Sequence, residues 1–171
     1  IILGEGGVLT GKSNEWMEYA PVFPPGGASD AYAELMAYLA ARSVVSDARE
    51  QVGIDDLACE RVLDTYRRVR RIMRNRGLRL QKARSNVLQR AVAAGLADQV
   101  YRRSVVGKTN RRIASKSTHR HLPSSSVVKE ATLVVGMPWN FQVDTEIGPQ
   151  TKRHIRAATE VSPELLGRVS G

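Results

Sequence analysis

The segment Gly6–Ser13, GGVLTGKS, is the first stretch whose residue types and spacing could do chemistry. It satisfies the phosphate-loop pattern G-x-x-x-x-G-K-S, in which backbone amides and the lysine, here Lys12, hold nucleotide phosphates. That chemistry also needs a strand before the loop, a helix after it, and an acidic residue ending a later apolar strand. Only Ile1–Leu3 could form the first strand, and the best later strand, Thr132–Met137, is not followed by Asp or Glu. We therefore interpret the match as chance resemblance, with a small NTPase using Lys12 as the alternative.

Histidine is the second residue type that could form a site, and the chain has three: His119, His121 and His154. On a strand, positions i and i+2 share a face, so His119 and His121 could ligate one metal ion. Glu130 is the only Asp, Glu or Cys within ten residues of His121. We therefore predict surface or phosphate-contacting histidines, no metal site and, since no nucleophile-elbow pattern occurs, no catalytic residue.

Positive charge is concentrated in the middle third of the chain. Residues 61–120 hold 18 basic and 2 acidic side chains, whereas residues 1–60 hold 3 basic and 10 acidic ones. Such a field attracts phosphate polyanions and releases their counterions, so nucleic acid is the expected partner; a solvated basic face is the plainer alternative. The side chains predicted to contact it are Arg67, Arg70, Arg71 and Arg74 on one helix face, and Arg102, Arg103, Lys108, Arg111, Arg112, Lys116 and Arg120 around a hairpin.

Three aromatic side chains could assist such binding. Trp16, Trp139 and Tyr101 could stack on the bases of a single strand, which is a sequence-tolerant contact. Burial in a core is nevertheless the favoured interpretation, because it is the commoner position of large aromatic rings.

Apolar periodicity divides the chain into a helical part and a strand-rich part. After an irregular lead-in over residues 1–28, helices are predicted from Asp30 to about Ser43, from Asp56 toward Gly77, and from about Lys82 to Asp98. From Gln99 onward, short apolar runs between turns are typical of a small barrel or sandwich. The predicted fold class is α+β, with a helical segment over 1–98 and a β domain over 99–171. Strands are predicted at Val100–Val106, Arg112–Ser115, Ser126–Val128, Thr132–Met137, Phe141–Thr145 and Ile155–Val161.

The same periodicity predicts which helix faces are buried. In the second helix the expected apolar stripe is Leu57, Leu63, Tyr66, Val69 and Met73. In the third helix it is Val87, Leu88, Ala91 and Val92.

Four ordered segments, VLQRAVAAGLADQVYRR, HLPSSSVV, ATLVVGMPW and RAATEVSPELL, resemble the C-terminal region of bacterial DEAH-box ATP-dependent RNA helicases. In that family a helix with an AGL-like end leads into an OB-fold, so the resemblance implies an OB-like β-barrel over 99–171. It also implies that Ser124 and Ser125, in the His-Pro-Ser-Ser-like segment, contact nucleic acid. Three departures occur: Leu122 separates His121 from Pro123, Leu165 replaces the usual tail tryptophan, and Trp139 follows its apolar strand instead of preceding it.

The resemblance implies a non-catalytic accessory region that holds single-stranded RNA against two RecA-like motor domains. ATP and magnesium would bind only in those motor domains, so no cofactor is expected in this chain, and the OB-fold could also receive an activator protein. Because the sequence begins at Ile1, we expect it to be a piece of a longer protein. A stand-alone OB-type module that binds nucleic acid or another protein is the alternative.

The sequence also predicts the cellular location of the protein. The single cysteine, Cys59, cannot form an internal disulfide, which favours a cytoplasmic protein. Neither a signal peptide nor an apolar run long enough to span a bilayer occurs, so no membrane contact is expected.

Overall fold

The computed structural model describes residue 2 and residues 6–20, 29–79, 85–106, 110–114, 119–123 and 126–169. The chain forms two compact units. The first comprises residues 1–25 and 31–85, and the second comprises residues 26–30 and 86–171. Each unit has an apolar core of its own.

The first unit is helical. It contains a 3-10 helix over Glu15–Glu18 and three α-helices: α1 (Asp30–Ala40), α2 (Ser46–Arg49) and α3 (Asp56–Asn75). Small side chains at Ala33, Ala37 and Ala40, spaced i, i+4 and i+7, line the buried face of α1. They share a core with the fully buried Trp16 and Ile54. The predicted first helix is therefore confirmed, although it ends a few residues before Ser43.

Helix α3 begins and ends at the predicted signals. The Asp55 carboxylate accepts a hydrogen bond of 2.8 Å from the amide of Ala58, which satisfies one of the free donors of the first turn. The helix ends before Gly77, whose φ of 70° lies in the left-handed region. Its predicted buried stripe is wrong at Leu57, Leu63 and Tyr66, which are exposed, whereas Val69 and Met73 are half-buried. The fully buried residues of the helix are Ala58, Cys59 and Val62.

The second unit combines five strands with two helices. Its elements are α4 (Ser85–Gly95), β1 (Val100–Val106), β2 (Asn110–Ala114), β3 (His119–His121), β4 (Leu133–Thr145), β5 (Gly148–Glu160) and α5 (Pro163–Val169). Strand β1 pairs antiparallel with β2 and β4, β2 pairs antiparallel with β3, and β4 pairs antiparallel with β5. Strand β3 also meets β5 in parallel, through the single pair His121 and His154. The predicted mixture of α and β structure is confirmed.

The long strand β4 replaces two predicted strands. Thr132–Met137 and Phe141–Thr145 are predicted as separate strands, yet β4 runs unbroken through Pro138. The amide of Gly136 donates a hydrogen bond to the carbonyl of Gln99, on the β1 side of β4. The backbone of Pro138, two residues further along β4, faces the same side but lies beyond the residues that pair with β1. A missing N–H at this point costs no ladder hydrogen bond.

The predicted strand Ser126–Val128 is also wrong, because this segment forms a bend instead. The amide of Ser126 donates to the carbonyl of Pro123, and Val128 is fully buried. The segment is held by side-chain contacts with Asp30 rather than by a strand ladder.

Two apolar clusters lie on opposite faces of β4. Val134 and Ile155 belong to one cluster, with Tyr101 and Val128. Val135 belongs to the other, where α4 and α5 contribute Ala93 and Leu165 among others. Because α4 packs on this strand, it belongs to the β unit, and the division at residues 85 and 86 comes one helix earlier than the predicted division at 98 and 99. The predicted inward face of α4 is wrong at Val87, which is exposed.

Candidate nucleic-acid interface

The outer half of the β4–β5 hairpin carries aromatic and basic side chains on one face. In the antiparallel register Trp139 is opposite His154, and Phe141 is opposite Lys152. Cross-strand partners share a face of a sheet, and Arg156 shares it by the two-residue period of β5. We call these five residues, Trp139, Phe141, Lys152, His154 and Arg156, the hairpin face. Helices α4 and α5 pack nearer the other end of β4, against Leu133 and Val135.

The rings of the hairpin face contact one another. Trp139 and Phe141 are stacked, with ring centroids 4.7 Å apart and planes 30° apart. Phe141 also meets the ring of His154, with centroids 5.0 Å apart. The guanidinium carbon of Arg156 lies 4.9 Å from the Trp139 centroid, within cation–π range. Trp139 is nevertheless 41% exposed, so it retains a surface on which a planar ligand could stack.

A cavity of about 540 Å³ adjoins the hairpin face. It lies where β3 meets β5, and the rings of His121 and His154 are 6.1 Å apart across this junction. Burial lowers the pKa of His154 below its usual value, and the neighbouring His121 and Lys152 lower it further. His154 is therefore mainly neutral at pH 7. The lining residues are His119, His121, Leu122, Thr151, Lys152, Arg153 and His154.

Arg120 positions the strands around this cavity. Its guanidinium donates to Oδ1 of Asn140 at 2.8 Å and to the carbonyl of His154 at 3.3 Å. These bonds join β3 to both β4 and β5, and they supplement the single backbone pair between β3 and β5. Arg120 is predicted as a nucleic-acid contact, and the structure gives its guanidinium a positioning role beside the hairpin face.

The other predicted basic residues fall in several places. On α3 the four arginines are exposed, and Arg67 lies 3.3 Å from Asp64 in an ion pair that solvent screens. On β1, Arg102 is exposed, whereas Arg103 lies 3.2 Å from Glu130. On β2 the backbone of Arg111 pairs with Val105, and that of Arg112 pairs with both Ser104 and His121. Lys108, Lys116, Ser124 and Ser125 lie outside the described residues.

The three aromatic candidates divide clearly between core and surface. Trp16 and Tyr101 are each 1% exposed, so neither can stack on a base, and the favoured interpretation of burial is confirmed for them. Only Trp139 of the three is exposed.

Sequence reasoning missed the neighbours of Trp139. Phe141, Lys152 and Arg156 were not among the predicted contacts, and His154 was predicted only as a surface or phosphate-contacting histidine, although a signal for all four exists. The pattern Trp-x-Phe in one strand and Lys-x-His-x-Arg in the next has the two-residue period of a shared face, and the turn Glu146–Ile147 sets the register.

The segment GGVLTGKS holds an anion that belongs to the chain itself. The Oε2 atom of Glu34 accepts hydrogen bonds from the amides of Val8 at 2.5 Å and Leu9 at 3.1 Å. A Cβ atom on Gly7 would lie 2.5 Å from the other carboxylate oxygen of Glu34. The 3-10 helix Glu15–Glu18 follows the segment, where a phosphate loop requires an α-helix. These contacts favour the interpretation of the pattern as a chance resemblance.

Comparison of the chain with protein-family models and with curated proteins finds no match. Among the described residues, no cluster of three or more His, Cys, Asp or Glu side chains could hold a metal ion. In the same part of the chain, no helix is both long enough and apolar enough to cross a membrane. The functional argument therefore depends on the geometry of the hairpin face and the cavity beside it.

Proposed function

We propose that this chain is a non-catalytic, single-strand-binding region whose hairpin face holds RNA, and that it serves as the C-terminal accessory region of a DEAH-box ATP-dependent RNA helicase. The observation that carries the proposal is the exposed stack of Trp139 on Phe141 with Arg156 beside it. Stacking on aromatic rings beside cationic side chains is how single strands are bound without a fixed sequence.

The order of the strands supports the OB-like part of the proposal. Their neighbour order is β1-β2-β3-β5-β4, with β4 beside β1 again. An OB-fold is a five-stranded, partly open Greek-key barrel, and the one-pair contact between β3 and β5 fits a barrel that is barely closed there. The predicted OB-like barrel over 99–171 is retained as part of this proposal.

Charge supports RNA as the partner. On the hairpin face, Lys152 and Arg156 flank the rings of Trp139 and Phe141, so phosphates of a strand stacked there would lie near cations. The arginines of α3, Arg67, Arg70, Arg71 and Arg74, form a second exposed basic surface in the other unit. In a helicase these surfaces would work with the RecA-like motor domains, which would supply ATP and magnesium chemistry.

The test is binding of a fluorescent twelve-nucleotide uridine RNA with hydroxyl ends, measured by anisotropy. Trp139→Ala and Phe141→Ala should each weaken binding by about 5-fold to 100-fold, since stacking contributes roughly 1–3 kcal/mol per base. Gln142→Ala is the matched control, because Gln142 lies on the same strand but points to the opposite face. Binding should weaken with salt, with a slope of about −0.7 per phosphate neutralised.

Unchanged affinity of both aromatic variants would exclude the hairpin face as the binding surface. The role of the chain in nucleotide chemistry is tested separately, by titrating the chain with ATP and magnesium. We expect no binding that depends on Lys12, and binding that is lost in Lys12→Ala would favour the small NTPase instead. An affinity for RNA that is the same at low and high salt would contradict the electrostatic part of the proposal.

A further inference from the structure

The cavity beside the hairpin face has the composition of an anion site. Of its lining side chains, Lys152 and Arg153 are cationic, and His119, His121 and His154 can each donate a hydrogen bond or accept a proton. None of the lining residues in the described part of the chain is acidic. The cavity is therefore a place where an anion would gain charge-assisted hydrogen bonds without facing a carboxylate.

The size and position of the cavity indicate what kind of anion fits. At about 540 Å³ it is much larger than a phosphate ion and has room for a nucleotide. Two of its lining residues, Lys152 and His154, also belong to the hairpin face, and the His154 ring is 5.0 Å from the Phe141 ring. A base stacked on Phe141 and Trp139 would therefore have its phosphate within reach of the cavity.

We propose that this cavity binds the terminal phosphate of a single strand, a phosphate monoester, while the adjoining base stacks on Phe141 and Trp139. This inference rests on the proposed function, because the strand must first be bound on the hairpin face. A terminal monoester carries about −1.5 to −2 charges at pH 7, whereas each internal diester carries one. A cluster of cations and imidazoles without a carboxylate discriminates between these two charges.

Binding of the monoester should be coupled to proton uptake. The charged and titratable groups around His154 are His119, Arg120 and His121 of β3 and Lys152, Arg153 and Arg156 of β5. The uncharged rings of Trp139 and Phe141 lie beside it on β4. Burial, and after it His121 and Lys152, lower the pKa of the His154 imidazole below its usual value. The negative charge of a bound dianion favours the protonated imidazole, so His154 gains a proton on binding.

The inference is tested by competition against a labelled RNA with hydroxyl ends. The unlabelled competitors are the same twelve-nucleotide strand with a 5′-phosphate, with a 3′-phosphate or with hydroxyl ends, together with uridine 5′-monophosphate and inorganic phosphate. One of the two phosphorylated strands should compete about tenfold more strongly than the hydroxyl strand, as expected for an added charge-assisted interaction. Calorimetry at pH 7.5 in buffers of different ionisation enthalpy should show net proton uptake for that strand only.

Variants locate the effect in the cavity. Arg153→Gln and His121→Gln, at cavity positions outside the hairpin face, should remove the preference for the phosphorylated end and leave the hydroxyl strand bound within about twofold to threefold of the original affinity. Gln150→Ala is the matched control, since Gln150 is an exposed residue of β5 outside the cavity lining. Circular dichroism of each variant checks that the β unit is folded.

The possible outcomes distinguish failure of the cavity proposal from failure of the proposed function. If Trp139→Ala weakens the hydroxyl strand but wild-type protein shows no preference for either phosphorylated end, the cavity proposal is wrong and the proposed function stands. Inorganic phosphate that competes as strongly as the phosphorylated strand overturns the assignment to strand ends. If no strand binds at all, both proposals fail.

Discussion

The carboxylate of Asp30 accepts hydrogen bonds of 2.9 and 3.0 Å from the hydroxyl of Ser126, 96 positions later in the chain. It also accepts bonds from the amides of Val127, at 2.8 Å, and Ala158, at 3.2 Å. One side chain thus holds the bend after β3 and an amide of β5. This contact explains why Ser126–Val128 has a fixed path without being a strand.

Loss of the Asp30 carboxylate should destabilise the β unit. Asp30→Ala leaves the donors of Ser126, Val127 and Ala158 without this acceptor, and we expect a loss of about 2–4 kcal/mol in the free energy of unfolding. Hydrogen exchange of the slowest amides in β4 and β5 measures the stability of this unit by itself. Asp144→Ala, at an exposed position of β4, is the control and should change that stability by less than about 0.5 kcal/mol. Equal protection in Asp30→Ala and wild type would contradict the anchoring role.

The same carboxyl group predicts a pH dependence. Burial raises the pKa of Asp30 above its usual value of 3.8, although the three donors oppose this shift. The folded state therefore binds the proton more tightly than the unfolded state. The stabilising contribution of the protonated group is fully present below pH 3.8 and is lost as the pH rises through the raised pKa of the folded state.

The measurement is the stability difference between wild type and Asp30→Asn as a function of pH. Because the amide does not titrate, other carboxyl groups cancel in this difference. The advantage of wild type over Asp30→Asn should shrink as the pH rises from below 3.8 to neutrality. An advantage that grows with pH would mean that the hydrogen bonds outweigh the cost of burial.

Gly136 should be essential for the approach of β4 to β5. A Cβ atom at this position would lie 2.4 Å from Cγ2 of Ile155 and 3.1 Å from the carbonyl oxygen of Arg156. Ile155 is fully buried, so its side chain has little room to move. Gly136→Ala should therefore destabilise the β unit by about 1–3 kcal/mol, again measured by hydrogen exchange in β4 and β5.

The matched control for Gly136→Ala is Gly167→Ala in α5. Among the described residues, no atom outside the neighbouring residues and the backbone of α5 lies within 4 Å of a Cβ built on Gly167. Alanine is also favoured over glycine in a helix by about 1 kcal/mol. The same chemical change should thus lower stability at residue 136 and leave it unchanged or raise it at residue 167. Two substitutions with equal effects would show that β4 and β5 can separate enough to admit a methyl group.

The helix ends and most strand positions could be predicted from the sequence because local signals determine them. Asp55 and Gly77 bracket α3, and the apolar run of β1 matches its observed bounds. The buried face of α3 could not be predicted in this way. Which side of an amphipathic helix is covered depends on the partner, and only the first turns of α3, around Ala58 and Val62, meet the core.

The candidate site was harder to predict for a related reason. A concentration of arginine in the sequence indicates that a segment is positively charged, but it does not show which of these side chains share one surface. Arg103 and Arg120, for example, each contact a partner within the protein. The hairpin face arises from pairing between β4 and β5, in a stretch where basic and acidic residues are balanced. Trp139 could be proposed from its residue type alone, but the approach of Phe141 and His154 depends on register.

Glu34 should stabilise the loop that contains GGVLTGKS. Glu34→Ala removes the acceptor of the Val8 and Leu9 amides, and we expect a loss of about 1–3 kcal/mol. Glu34→Gln should lose less, because its amide oxygen can still accept. Trp16 lies in the same core, so its fluorescence in a Trp139→Phe background follows unfolding of this unit in urea.

Glu18→Ala is the control for Glu34→Ala, since Glu18 is an exposed residue of the 3-10 helix. Its urea midpoint should match that of the unmodified background. If Glu34→Ala and Glu18→Ala have the same urea midpoint, water replaces the Glu34 carboxylate without loss of stability. The same variant is then titrated with ATP and magnesium, because a loop freed of its own anion would be the most favourable form for the NTPase alternative.

Cys59 should be nearly unreactive in the folded protein. It is 5% exposed in the core of the first unit, and burial raises the pKa of its thiol to about 11. Only the thiolate attacks disulfide and maleimide reagents, so at pH 8 the folded protein should react about 100-fold more slowly than the protein in denaturing urea, where the thiol regains an ordinary pKa. The rate in the folded state should rise about tenfold per pH unit between pH 8 and 10. The reaction is followed with a chromogenic disulfide reagent. If the folded protein reacts as fast as the protein in urea, local opening of α3 exposes Cys59 faster than the reagent reacts.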